Sequence, residues 1–141
     1  MDVDTIAAIS TGPGAGAIAM VRISGPASAE ILLRLAPALE EMPAPRIASV
    51  VDLCEPDDGE VIDRAVATYY RSPESYTGED VVEITCHGGV IAPRLVLGAC
   101  LAAGARQAEA GEFTKRAYLR GKLDLIQACL LYTSPSPRDR G

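Results

Sequence analysis

The sequence predicts an α/β or α+β domain in which helices flank a mixed β-sheet. Segments with strand character outnumber helical ones early in the chain, and some connections are long enough for crossovers. The length of 141 residues suits one compact domain, and 48% apolar against 23% charged residues is ordinary globular usage. Because Trp is absent and Phe occurs once, the core must be built from Ala, Val, Leu and Ile.

The chain opens with two predicted strands, the loop between them and a helix. Thr5–Ile9 is short and apolar, and Ala17–Ser24 is strongly strand-like. The glycines and proline of Thr11–Gly16 indicate a loop between these strands. Ser28–Leu39 carries apolar residues at helical spacing, but Pro37 is expected to end this helix early.

A hairpin and a further strand are predicted for the middle of the chain. Ile47–Leu53 and Val61–Tyr70 have strand character, and Glu55–Gly59 between them has the composition of a turn. Pro73–Glu79 is predicted to be a polar loop. Asp80–Cys86 follows as another strand, which two glycines end.

Helices dominate the remainder of the chain. Val90–Ala103 is predicted to be a helix closed by the glycine that follows, and Arg106–Ala108 a short strand. Glu112–Leu119 and Leu123–Ala128 are predicted to be helical. The acidic start and basic end of the first of these two helices complement its dipole. No internal repeat is visible along the chain.

The composition changes abruptly at Cys129, where the sequence becomes CLLYTSPSPRDRG. Pro135 and Pro137 cannot continue the helix that Leu123–Ala128 begins. The run 129–139 also looks like the translated read-through of a sequencing adapter. We therefore expect residues 129–141 to be a non-native tail. The alternative is a natural disordered tail.

Charge, cysteine usage and hydropathy narrow the classes of function. A net charge of −6 makes the chain a poor partner for a phosphate backbone, so another domain would supply most of any RNA-binding surface. The net charge is an average over the chain, so a local basic patch around Lys115, Arg116, Arg120 and Lys122 is left open as an alternative. No two of the four cysteines have CxxC spacing, so we expect free thiols in a reducing cytosol. The acidic N-terminus and short apolar runs predict a soluble, cytoplasmic chain with no membrane span.

Two charged residues stand within apolar strands. Neighbouring side chains of a strand point to opposite faces, so Arg22 points away from the face of Val21, and Glu83 away from the face of Val82. A buried charge needs a partner or a ligand, and a carboxylate accepts well the two parallel N–H bonds of a pterin or guanine. The alternatives are an exposed strand residue for Arg22 and a salt bridge for Glu83, with Arg22 as one candidate partner.

Three further motifs give weaker indications of chemistry. Thr11–Gly16 lacks the GK(S/T) ending of a P-loop and the GxGxxG order, so a tight turn is expected. Cys86 beside His87 suggests a nucleophile and a base, but strand neighbours point to opposite faces. The glycines after them are expected to let the backbone turn tightly into the next helix or approach a ligand closely. The basic stretch Phe113–Asp124 is either a charged, capped helix or part of a ligand site, with Lys122 placed by a turn.

Three blocks of sequence together carry a family resemblance. AIAMVRISG, SYTGEDVVEITCHGG and GEFTKRAYLRGKLDLIQA resemble the N-terminal domain of the MnmE (TrmE) tRNA-modification GTPases, and DTIAAIST matches that domain's start. The resemblance covers residues 1–128 in order. It implies a folate-binding and dimerisation domain at 1–120 and the start of a helical domain at 121–128.

The resemblance implies a fold similar to tetrahydrofolate-dependent aminomethyltransferases. Such a domain binds 5-formyl- or 5,10-methylene-tetrahydrofolate and mediates homodimerisation. The full-length protein adds a helical domain with an inserted GTPase that uses GTP, Mg²⁺ and K⁺. With the FAD protein MnmG (GidA), it installs an aminomethyl or carboxymethylaminomethyl group on C5 of the wobble uridine of certain tRNAs.

The family's folate-contacting residues fall on Arg22, Glu83 and Lys122, and no catalytic residue or metal ligand is assigned. Glu83 is expected to recognise the pterin edge, while Arg22 and Lys122 complement anionic or carbonyl parts of the folate. The sequence departs from the family in lacking GxxxxGK(S/T) and the cysteine near the family's C-terminus. This chain alone is therefore not expected to bind GTP in the family's manner or to modify tRNA. The alternatives are a free-standing folate-dependent one-carbon transferase and a pure dimerisation module.

Overall fold

The computed structural model describes residues 3–10 and 16–133, which form a mixed sheet with flanking helices. The strands are β1 (Ile6–Ile9), β2 (Ile18–Ser24), β3 (Ser49–Cys54), β4 (Val61–Tyr70), β5 (Val81–His87) and β6 (Arg106–Gln107). The helices are α1 (Ser28–Leu35), α2 (Ile91–Ala102), α3 (Glu112–Leu119) and α4 (Leu125–Thr133). The predicted fold class is confirmed.

The sheet has the strand order β3-β4-β5-β2-β1-β6. Neighbouring strands are antiparallel except β1 and β6, which are parallel. The parallel edge is reached through α2, which carries the chain from β5 to β6, as parallel pairing requires a long crossover. Strand β2 therefore lies inside the sheet, between β5 and β1.

The two faces of the sheet differ in how they are covered. Alternation along β2 turns Val21 and Ile23 to one face, where both are fully buried. They pack in the main core with α1 and α2, and each buried aliphatic side chain contributes about 1.5–3 kcal/mol. On the other face, Phe113 of α3 belongs to a smaller cluster that covers only the β1 end. Towards β3 this face stays open, with Ile18 65% and Val50 62% exposed.

Most predicted elements match the structure within two residues, and one boundary prediction was wrong. Helix α1 ends at Leu35, two residues before Pro37, as expected. The predicted hairpin is formed by β3 and β4. The last helix does not end at Ala128 but continues to Thr133, because the first proline after it is Pro135. Five residues of the predicted non-native tail thus lie in α4, and the remainder lies outside the described residues.

The end of β5 shows why glycine follows His87. A Cβ on Gly88 would overlap the carbonyl oxygen of Gly16. The backbone N–H of Gly88 donates to the oxygen of Ala17 at 2.9 Å, and Gly89 adopts a φ of 84°. The predicted tight turn into α2 is found here, and the close approach that Gly88 permits is to the backbone of Gly16 rather than to a ligand. In the predicted loop before β2, residues 11–15 lie outside the described ranges. Among the helices that are described, none is long and apolar enough to cross a membrane.

Candidate ligand-binding site

Arg22 and Glu83 form an ion pair in the middle of the sheet. The register of β2 and β5 places them directly opposite each other. Nη2 of Arg22 lies 3.0 Å from Oε2 of Glu83, and Nε donates to the same oxygen at 3.1 Å. The salt-bridge alternative is confirmed, with Arg22 as the partner. The two side chains remain 12% and 22% exposed, so the pair is not completely sealed from solvent.

Two aromatic rings hold the guanidinium of Arg22. Its Cζ lies 4.9 Å from the ring centroid of Tyr76 and 5.4 Å from that of Phe113. The hydroxyls of Tyr76 and Thr114 are 3.0 Å apart, so the loop before β5 is tied to α3. Cation–π contacts of this kind contribute about 0.5–2 kcal/mol each. Neither ring was predicted from the sequence to belong to the site, although Phe113 is the only phenylalanine of the chain.

Tyr70 on β4 is a third residue of the site that was not predicted from the sequence. Thr68 pairs with Glu83 across β4 and β5, so Tyr70 is a diagonal neighbour of Glu83 on the same face. Burial, together with the negative charge of Glu83, raises the pKa of Tyr70. The phenol is protonated at neutral pH, as in any tyrosine, and can donate a hydrogen bond; the raised pKa extends this state to more alkaline pH.

A second network of charges lies beside this site and joins β2, α3 and the N-terminus. Glu79 is 5% exposed, and its Oε1 accepts from Ser24 Oγ at 2.7 Å and from Arg116 Nη1 at 3.1 Å. Arg116 Nη2 donates to Asp4 Oδ1 at 2.7 Å. Buried charges are tolerated when they are paired in this way. The predicted basic patch therefore loses Arg116, whose charge is neutralised by carboxylates.

Arg106 extends this network at its exposed end. Its Nη2 lies 2.7 Å from Oε2 of Glu112, and its Nε donates to Asp4. The hydrogen bond from Arg106 lowers the pKa of Asp4 to about 2, and Arg116 contributes in the same direction. Residues from β6 and α3 thus hold the segment that precedes β1.

Lys122 stands apart from the ion pair of Arg22 and Glu83. It follows Gly121, which has a φ of 77°, and its backbone N–H donates to Ala117 at 2.8 Å. Its Cγ lies 3.3 Å from the position that a Cβ on Gly78 would take, so its stem covers that loop. Within residues 16–133 the structure shows no hydrogen bond or ion pair between Lys122 and either Arg22 or Glu83. Two of the three predicted residues are therefore in contact, and the third borders the loop that carries Tyr76.

Cys86 and His87 do not form a nucleophile and base. Cys86 is 3% exposed, and burial raises the pKa of its thiol to about 11. His87 lies on the opposite face, where its Nδ1 is 2.6 Å from Oδ1 of Asp63. The cysteines form no disulfide with one another. In the part of the chain that is described, no three His, Cys, Asp or Glu side chains cluster as metal ligands.

Comparisons with known proteins agree on one family. The family model described as "GTP-binding protein TrmE N-terminus" matches residues 5–122. The chain is 50% identical over 124 residues to the tRNA modification GTPase MnmE of a Nitratiruptor species, covering 88% of this chain and 27% of that protein. It is 49% identical over 129 residues to the MnmE of Dechloromonas aromatica, covering 91% and 28%. The MnmE of Thermotoga petrophila is 48% identical over 126 residues, covering 89% and 27%. The chain thus spans about a quarter of the length of these curated relatives.

Proposed function

Because this chain belongs to the family of TrmE N-terminal domains, we propose that it is the tetrahydrofolate-binding and homodimerising domain of a tRNA-modifying GTPase. The relatives are named tRNA modification GTPases, which supports the tRNA and GTP part of the proposal. In the longer protein, GTP, Mg²⁺ and K⁺ would bind outside this chain. With MnmG, that protein would modify C5 of the wobble uridine in the cytoplasm.

The ion pair of Arg22 and Glu83 is the observation that carries the folate proposal. A carboxylate on a central strand is costly to desolvate without strong hydrogen bonds. Arg22 supplies one hydrogen bond from Nε and an ion-pair contact from Nη2 to the same oxygen, and so fixes the direction of the carboxylate, while 22% of the Glu83 side chain stays accessible. A group that donates parallel N–H bonds fits such an acceptor. The amino and ring N–H groups of a pterin are donors of this kind.

The rings around the ion pair add support for a flat heterocycle. Tyr70, Tyr76 and Phe113 gather at Arg22 and Glu83 from β4, the following loop and α3. Aromatic side chains provide apolar, rigid surface for a ring ligand. When bound, the tetrahydrofolate would supply the one-carbon unit. Glu83 would orient the pteridine, Arg22 would hold Glu83, and Lys122 would complement an anionic or carbonyl part of the folate.

The open part of the sheet supports the proposal that the domain dimerises. Ile18, Val50 and Val66 lie on the uncovered face towards β3 and line one shallow groove. Apolar side chains grouped on a surface mark interaction sites. A free-standing one-carbon transferase and a dimerisation module that binds no folate are the alternative functions.

Calorimetric titration of 5-formyl-tetrahydrofolate into this chain tests the proposal. Glu83→Gln is expected to weaken binding by about tenfold or more, because it removes the charge from the acceptor. Glu30→Ala, on the exposed side of α1, is the matched control and should bind like the wild type. Sedimentation equilibrium of the same samples reports the dimer. Wild-type affinity in a folded Glu83→Gln variant would contradict the folate site.

A further inference from the structure

We infer that Glu79 and Arg116 are positioning residues of the candidate site: their buried ion pair fixes α3 against the loop between β4 and β5, so that each of these elements keeps an aromatic ring on Arg22. The inference rests on the proposed function, because the two residues would act on folate binding without touching the folate. Three observations carry it: the pair joins the two elements that supply the rings, α3 has few apolar contacts, and the contacts of the pair are directional.

The pair joins two elements that meet at Arg22. Glu79 lies in the loop that also carries Tyr76, and Arg116 lies in α3, which also carries Phe113. The rings of Tyr76 and Phe113 are the two that pack on the guanidinium of Arg22. Phe113 and Arg116 are three residues apart and are therefore neighbours on one side of the helix. A shift of α3 would thus move the Phe113 ring away from the site.

Apolar contacts hold α3 only weakly. A helix of eight residues is unstable by itself in water, so α3 depends on its contacts with the rest of the domain. Its buried residues are Phe113, Thr114 and Ala117, and the cluster that contains Phe113 is much smaller than the main core. Hydrogen bonds and ion pairs must therefore contribute much of what places this helix.

The contacts of the pair are buried and directional. The side chains of Arg116 and Glu79 are 11% and 6% exposed. Nη1 of Arg116 donates to Oε1 of Glu79 at 3.1 Å and to Oε2 at 3.3 Å. Desolvation offsets much of the attraction in a buried ion pair, so its net contribution to stability is small, whereas its hydrogen bonds still define a geometry. The main effect of the pair is therefore to place α3.

The loop on the Glu79 side of the pair is held by hydrogen bonds of its own. The backbone oxygen of Glu79 accepts from Ser75 Oγ, and its backbone N–H donates to Thr77 Oγ1 at 3.2 Å. Ser24 on β2 fastens this loop to the sheet, since its Oγ lies 2.7 Å from Thr77 Oγ1 and donates to Oε1 of Glu79 at 2.7 Å. Glu79 is thus a fixed anchor, to which Arg116 attaches α3.

The test applies hydrogen–deuterium exchange and calorimetric titration of 5-formyl-tetrahydrofolate to this chain carrying Glu79→Gln and Arg116→Gln together. The double variant removes both charges, so neither is left buried without its partner. Amides of α3 are expected to exchange about tenfold faster than in the wild type, while those of α2 stay unchanged. Folate affinity should fall about threefold to tenfold although the melting temperature stays close to that of the wild type.

Two further variants complete the test. Arg34→Gln is the matched control, because it removes an arginine hydrogen bond between α1 and Ala103 on the other face of the sheet. It should change neither the exchange of α3 nor the folate affinity. Arg116→Lys keeps the pair charged but replaces the planar guanidinium by a single ammonium group. Its exchange and its affinity should both lie between those of the wild type and the double variant, and wild-type values of both would contradict the inference.

The outcomes separate this inference from the proposed function. Wild-type exchange of α3 in the double variant would overturn the inference, because other contacts would then place the helix. Faster exchange with wild-type folate affinity would also overturn it, because the placement of α3 would then have no effect on the ligand. Failure of the folded wild type to bind 5-formyl-tetrahydrofolate would overturn the proposed function, and with it the positioning role.

Discussion

Oε2 of Glu83 lies 3.1 Å from Nε and 3.0 Å from Nη2 of Arg22, across the two innermost antiparallel strands of the sheet. Both groups are largely removed from water, and Tyr76 packs against the guanidinium. Their interaction therefore stabilises the sheet and is also part of the candidate site. Removing either partner leaves a charge that the fold no longer compensates.

A double-mutant cycle on Arg22 and Glu83 should show this coupling. Each single variant, Arg22→Ala and Glu83→Gln, is expected to lower the free energy of unfolding by about 1–3 kcal/mol. The double variant should lose less than the sum, with a coupling energy of about 0.5–3 kcal/mol. Urea denaturation followed by circular dichroism gives these values. Additive losses would show that the ion pair contributes nothing to folding.

Asp4 should contribute to the loss of folding stability at acidic pH. Its pKa is about 2 in the folded chain against an ordinary value of 3.8, so the unfolded chain binds its proton more readily. Its contribution is complete above pH 4 and is lost as the pH falls towards 2. In Asp4→Asn, unfolding midpoints measured between pH 4 and 2 should vary less than in the wild type. Asp57→Asn, in the exposed turn of the hairpin, should follow the wild type.

Two glycine substitutions should act in opposite directions. Gly88→Ala places a methyl group against the backbone of Gly16, which cannot rotate away, and is expected to cost about 1–3 kcal/mol. Gly98 lies on the exposed side of α2 with nothing within 4 Å of the added Cβ. Gly98→Ala should stabilise the chain by about 0.5–1 kcal/mol. Thermal melting of both variants measures the difference, and a neutral Gly88→Ala would contradict the close approach.

Thiol labelling should distinguish one cysteine from the other three. Burial raises the pKa of Cys86 to about 11 and that of Cys100 to about 12, and Cys54 is also buried. Cys129 is exposed on α4. Because the thiolate is the reactive species, a chromogenic disulfide at pH 8 should label one thiol rapidly and the others only after unfolding. Cys129→Ser should abolish the rapid phase; its persistence would place the reactive thiol elsewhere.

Local patterns were enough to predict most of the strands and helices. Alternation in β2 and β5 identified both strands and the directions of Arg22 and Glu83. The register that puts these two residues opposite each other depends on pairing between distant segments. From the sequence alone, the salt bridge was therefore one of several possible interpretations. Pro37 predicted the end of α1 correctly because its effect on the helix is local.

Contacts between distant segments account for what the sequence did not predict. Arg116 was grouped with exposed cations, but its partners Glu79 and Asp4 lie 37 and 112 residues away. No local pattern indicates such pairing. Tyr76 and Phe113 likewise reach Arg22 only once α3 packs on the sheet. Strand alternation singled out Arg22 and Glu83, the family resemblance assigned them and Lys122 to folate, and the predicted contact of Lys122 with a shared ligand remains a proposal.

The ion pairs of Asp4 with Arg106 and Arg116 limit when the domain can complete its fold during synthesis. Asp4 leaves the ribosome first, yet its partners follow 102 and 112 residues later. Until then β1 can pair only with β2, and the edge of β1 that β6 later covers presents unpaired backbone groups. The nascent chain must therefore keep an incomplete sheet edge from aggregating until nearly the whole domain has been translated.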